Sequence, residues 1–103
     1  MVKAFRLNYG CKGKESFWEG FGREITESQY NRAAAIVRSR GLFLTRDEEE
    51  DTYYLLGDGV IKLNNATLNP CGIKLIHRTK EGLERIAEEL ELPITEIKIY
   101  EMS

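Results

Sequence analysis

Residues 72–101, GIKLIHRTKEGLERIAEELELPITEIKIYE, read as strand, helix, strand, and that reading decides the fold class. Ile73, Leu75 and His77 alternate with Lys74 and Ile76, the period of a half-buried strand expected at about 73–78. Thr79 is placed to cap a helix whose apolar stripe is Leu83, Ile86, Ala87 and Leu90, and Pro93 stops it, leaving Leu92 extended. Residues 94–101 alternate again, with Ile97 and Ile99 on one face and Glu96, Lys98 and Tyr100 on the other. Two strands joined by so short a helical link predict a right-handed parallel crossover.

The amino-terminal part repeats the theme. Residues 2–9, VKAFRLNY, put Phe5, Leu7 and Tyr9 on one side and Ala4, Arg6 and Asn8 on the other. Residues 10–24 carry four glycines among Phe17, Trp18 and Phe21 and read as a long loop. Thr26 and Gln29 then form a capping-box pattern, with Ile25 and Tyr30 in the two positions of a hydrophobic staple. A helix over about 27–40 follows, its core side made of Tyr30, Ala33, Ala34 and Val37 and widened by Ile36. Gly41 suits a left-handed terminating residue.

Between these units lie three β-rich runs, LFLT (42–45), TYYLL (52–56) and VIKL (60–63), expected as an antiparallel meander. Residues 47–51 form its acidic tip, Gly57 and Gly59 supply positive φ at the second turn, and residues 64–72 are turn-rich. The chain is therefore expected to be a single α+β domain over 1–103. Its architecture is expected to be a single-layer mixed β-sheet with two helices on one face, a ferredoxin-like core with an added hairpin. Such a fold hosts many unrelated functions, so activity must be argued from the side chains.

Charge is the most informative of these. The 103 residues carry a formal net charge of −2. Residues 1–46 hold nine Lys and Arg against four Glu, a net of +5, while residues 47–103 hold six against thirteen, a net of −7. Poles of this kind steer partners. The acidic pole comprises Asp47, Glu48, Glu49, Glu50 and Asp51, followed by Glu81, Glu84, Glu88 and Glu91 along one flank of the second helix. The basic pole mixes cations with rings: Lys3, Arg6, Lys12, Lys14, Trp18 and Arg23.

The acidic pole favours a small, cytoplasmic, non-enzymatic binding module that regulates or inhibits a protein partner of basic character. The alternative is nucleic-acid binding by the basic, aromatic amino-terminal half. A second alternative, a small enzyme or metabolite-binding domain, centres on His77, the only histidine, near Cys71 or Tyr9. His77 shares its strand face with Ile73 and Leu75, which favours a core or sheet-end histidine. Residues 10–16, GCKGKES, lack the spacing of a nucleotide-binding loop.

Cys11 and Cys71 are expected as free thiols, since a bridge would have to close a loop of some sixty residues in a chain able to build its own core. Cys11, Cys71 and His77 lack the paired spacing of a zinc site, and no cofactor or metal is implied. No apolar run approaches the ~20 residues of a membrane-spanning helix. A homodimer through the edge of the last strand is compatible with the pattern, although Glu96 and Lys98 are charges of the kind that discourage edge pairing.

Overall fold

The computed structural model describes residues 2–11, 22–46, 51–64, 71–94 and 98–102. Their elements run β1 (Val2–Cys11), β2 (Gly22–Ile25), α1 (Glu27–Arg40), β3 (Leu42–Arg46), β4 (Thr52–Leu56), β5 (Gly59–Leu63), β6 (Gly72–His77), α2 (Lys80–Glu89) and β7 (Lys98–Met102). The protein is thus mixed α+β. Six strands lie in the order β2-β1-β6-β5-β4-β3, and β7 pairs with β1.

The meander is present and longer than expected, since β3, β4, β5 and β6 are successively antiparallel. β6 and β7 each run antiparallel to β1, so they are parallel to one another with β1 between them rather than side by side. β2 interrupts the region expected to be all loop. It pairs in parallel with the end of β1, Asn8 opposite Gly22 through Cys11 opposite Ile25. Four residues, GREI, are too few to display a period of two, so only the neighbouring strand reveals them as β structure.

The core lies against the odd-numbered side of β1. Leu7 faces Leu75 and Tyr9 faces Ile73, and β5 continues the layer with Ile61 and Leu63. Tyr30, Ala33, Ala34 and Val37 of α1 and Leu83, Ile86 and Ala87 of α2 complete one buried cluster with them. Each large aliphatic group enclosed there contributes about 1.5–3 kcal/mol. Two ion pairs tie the helices together at the surface. Arg32 Nη1 meets Glu91 Oε1 at 3.2 Å, and Arg40 Nη1 meets Glu89 Oε1 at 2.8 Å.

The helix starts follow local chemistry. Thr26 Oγ1 accepts from Gln29 N at 3.1 Å and Gln29 Oε1 accepts from Thr26 N at 2.8 Å, the reciprocal pair of a capping box. Thr79 Oγ1 accepts from Gly82 N at 3.0 Å at the start of α2. The ends differ from expectation. Gly41 has φ −77°, not a left-handed value, and its N–H reaches Val37 O at 2.7 Å. A Cβ there would come within 2.6 Å of that carbonyl, so close approach rather than handedness requires glycine. At α2 the left-handed position falls on Glu91, φ 58°, with Leu92 N donating to Ala87 O at 2.9 Å. Of the two turn glycines, Gly57 alone has positive φ, while Gly59 is packed beneath Ile86 and His77.

The two cysteines are not free thiols. Cys11 ends β1 and Cys71 precedes β6, next to the Gly10–Gly72 register pair, and they form a disulfide with Cα atoms 5.6 Å apart. Antiparallel pairing of β1 with β6 brings together residues 60 apart in sequence, which no local pattern announces.

Candidate functional site

The face of the sheet opposite the core carries the even-numbered residues of β1. Arg6 faces Ile76, Asn8 faces Lys74, Lys74 faces Lys62, and Lys62 faces Tyr53. Asn8, Lys74, Lys62 and Tyr53 therefore form a row across four strands, with Arg6 one register step away along β1. Side chains directly opposite one another on neighbouring strands have Cβ atoms about 4.5–5.5 Å apart. Three cations are thereby concentrated on one patch of half-buried surface.

Asp51 offsets one of them. Lys62 Nζ lies 2.9 Å from Asp51 Oδ2, and it also sits 5.7 Å from the centroid of the Tyr53 ring. Burial disfavours the Lys62 ammonium, but the Asp51 hydrogen bond and charge, together with Tyr53, outweigh it and raise its pKa above the ordinary lysine value. Lys74 is lowered, first by burial and then by the positive charges of Arg6 and Lys62, with Asp51 partly opposing. Beside Lys74, Asn8 is 5% exposed, and among the described residues its Oδ1 has no hydrogen-bond partner. The row is thus a cationic patch with a ring at one end and a carbonyl acceptor at the other.

Sequence reasoning placed Arg6 here but missed Lys62, Lys74 and Tyr53. A signal was present. In both VIKL and GIKLI a single lysine interrupts an apolar run at the position turned away from the core. The other expected basic residues do not join the patch. Arg23 faces Tyr9 and so belongs to the opposite side from Arg6, while Lys12, Lys14, Trp18 and the Lys3 side chain lie outside the described residues.

The acidic pole is divided. Asp47, Glu48, Glu49 and Glu50 lie outside the described residues, and Asp51 is a buried partner of Lys62 rather than part of a solvated tip. Glu91 is held by Arg32, and Glu81, Glu84 and Glu88 lie along α2. The helix layer therefore joins the basic and acidic halves of the chain across the α1–α2 seam.

The constellation around His77 does not assemble. Six residues of extended chain, on the order of 20 Å, separate it from Cys71, which is bridged to Cys11. Tyr9 spends its hydroxyl on Pro93 O at 2.7 Å. His77 serves the start of α2 instead: Nδ1 accepts from Thr79 N at 2.9 Å and the ring lies against Gly82. A cleft of about 420 Å³ opens beside it, lined by Asp58, Arg78, Glu81 and Arg85 among others. Among the described residues no group of three or more His, Cys, Asp or Glu could hold a metal ion. No described helix is long and apolar enough to cross a membrane.

Comparison with family models, with curated proteins and with solved structures gave no significant match to this chain.

Proposed function

We propose that this protein binds single-stranded nucleic acid on the sheet face that carries Arg6, Lys62, Lys74 and Tyr53. The observation that supports it is the direct opposition of Lys62 and Lys74 with Arg6 nearby, three cations on one face. Like charges directly opposite on a sheet destabilise it, and a phosphate backbone is the partner that relieves them. The Tyr53 ring adds the flat surface on which a base stacks, and stacking tolerates any base. This is the nucleic-acid alternative of the sequence, with Arg6 kept from the amino-terminal half and Lys62, Lys74 and Tyr53 of the sheet added to it.

The test is fluorescence anisotropy of a labelled oligonucleotide with salt varied. Three phosphate contacts on a single strand predict a slope of log K against log salt of about −2. Lys74→Gln is expected to weaken binding about tenfold and to flatten the slope. Absence of binding at low salt removes the proposal.

A second reading, a basic protein partner regulated through an acidic surface, keeps Glu81, Glu84 and Glu88 as its support, since Asp51 and Glu91 are committed to Lys62 and Arg32. Charge reversal of those three residues tests it through partner association rate.

The strand order supports reading β1, α1, β5, β6, α2 and β7 as a ferredoxin-like core, with β3 and β4 as the added hairpin and β2 as a further edge strand. The Cys11–Cys71 bridge favours an oxidising compartment over the cytoplasm expected for free thiols.

A further inference from the structure

Lys74 lies inside the sheet, on β6 between β1 and β5, and is half-buried on the face away from the core. Its two direct cross-strand neighbours are Asn8 and Lys62, and neither is a carboxylate. Arg6 stands one register step away along β1. The two opposed lysines are not equivalent. Lys62 holds its proton against Asp51, whose Oδ2 lies 2.9 Å from its Nζ. Lys74 is pressed the other way, by burial and then by the charges of Arg6 and Lys62. An amine beside a fixed cation on a partly desolvated face is a lysine prepared as a nucleophile, since only the unprotonated amine attacks.

We infer that Lys74 is a reactive amine that captures small carbonyl compounds bearing a carboxylate or a phosphate, with Arg6 and Lys62 holding the anionic group. Residues directly opposed on neighbouring strands have Cβ atoms about 4.5–5.5 Å apart, so an anion held by Lys62 and a carbonyl carbon at Lys74 can belong to one molecule of two or three carbons. In the reaction the Nζ lone pair adds to the carbonyl carbon and a proton passes from nitrogen to oxygen. The resulting carbinolamine loses water, leaving a C=N bond to Lys74. Amine and carbonyl are consumed one for one, water is the other product, and no oxidant or reductant enters. Lys80, exposed in the first turn of α2, lacks this setting and is the internal reference. The capture stands whether or not this face also binds nucleic acid.

Glyoxylate on the full chain is the probe, with sodium cyanoborohydride to reduce the imine to a stable carboxymethyl amine and peptide mass spectrometry to read the rate at each lysine. Near neutral pH, Lys74 is expected to be modified at least about fivefold faster than Lys80, and the preference to vanish when the chain is unfolded in urea. Formaldehyde, a carbonyl without an anionic group, is expected to show a smaller preference. Lys62→Gln and Arg6→Gln are each expected to slow modification of Lys74 at least about threefold while leaving the Lys80 rate and the circular dichroism unchanged. A Lys74 rate no greater than that of Lys80, a preference that survives unfolding, an equal preference with formaldehyde, or indifference to both substitutions overturns the inference.

Discussion

Lys62 on β5 stands directly opposite Lys74 on β6, and the Asp51 carboxylate is bonded to Lys62. Burial, and then the charges of Arg6 and Lys62, lower the Lys74 pKa, so this face keeps its ammonium at a cost. Its lowered pKa means that the cost is fully present at neutral pH and is relieved as pH rises through its folded value towards 10.5, the ordinary lysine value. Lys74→Met is expected to leave stability unchanged or raise it by up to about 1 kcal/mol while weakening oligonucleotide binding. Urea unfolding and anisotropy on the same variant check both halves. A destabilised variant would show that Lys74 is structural.

The Cys11–Cys71 bridge encloses α1 and the four strands β2 to β5 between residues 60 apart. Removing such a constraint from the unfolded chain costs about 4 kcal/mol by loop entropy. The Cys11→Ala, Cys71→Ala double variant is expected to show most of that loss in its urea midpoint. Wild type treated with reductant should fall to the same value, and titration of the denatured, unreduced chain should find no free thiol.

Gly82 in the first turn of α2 has no room for a side chain, because a Cβ would run into the His77 ring. That ring is pinned through Nδ1 to Thr79 N, so it cannot simply swing away. Gly82→Ala is expected to cost about 1–3 kcal/mol. Combined with His77→Ala the cost should fall below the sum of the two single losses. Additive losses would mean that the two residues do not meet.

Glu91 occupies a left-handed position, φ 58°, while its carboxylate holds Arg32. Both partners of that pair are more than half exposed, so the pair contributes less than about 1 kcal/mol. Relief of the backbone at a glycine is of comparable size. Glu91→Gly is thus expected to be neutral or stabilising, most clearly at high salt where the ion pair is already screened. Melting temperatures at low and high salt decide it.

Tyr9 and Tyr30 are enclosed by the core, and burial raises both phenols above the ordinary value of 10.0. The unfolded chain loses those protons first, so stability is expected to fall from about pH 10 upward. Tyr9→Phe should shrink that alkaline loss, at a cost near neutrality of about 1–2 kcal/mol for the unpaired Pro93 carbonyl. Urea midpoints at pH 8 and pH 11 test it, and an unchanged difference between them would exclude Tyr9.

Much of the architecture was legible before any contact was known. The capping box at Thr26 and the core stripe of α1 appear where the pattern put them, and so do the three runs of the meander. The candidate site was legible only in part. Arg6 was identified, yet Arg23 belongs to the other side of the sheet because its neighbour Tyr9 points into the core. Asp51 looked like one more charge at a turn, and it is a buried counter-ion because β4 starts beside Lys62 of β5.

Sequence alone determined the elements other than β2 and most of their inward faces, since period, caps and turn residues act through neighbours four or fewer positions away. Tertiary structure alone decided which strands meet. The register of β1 against β6 joins Cys11 to Cys71, and that of β5 against β6 sets Lys62 opposite Lys74. The packing of α1 beside α2 pairs Arg40 with Glu89. Such pairings depend on burying one common core, a property of the whole chain that no local window contains.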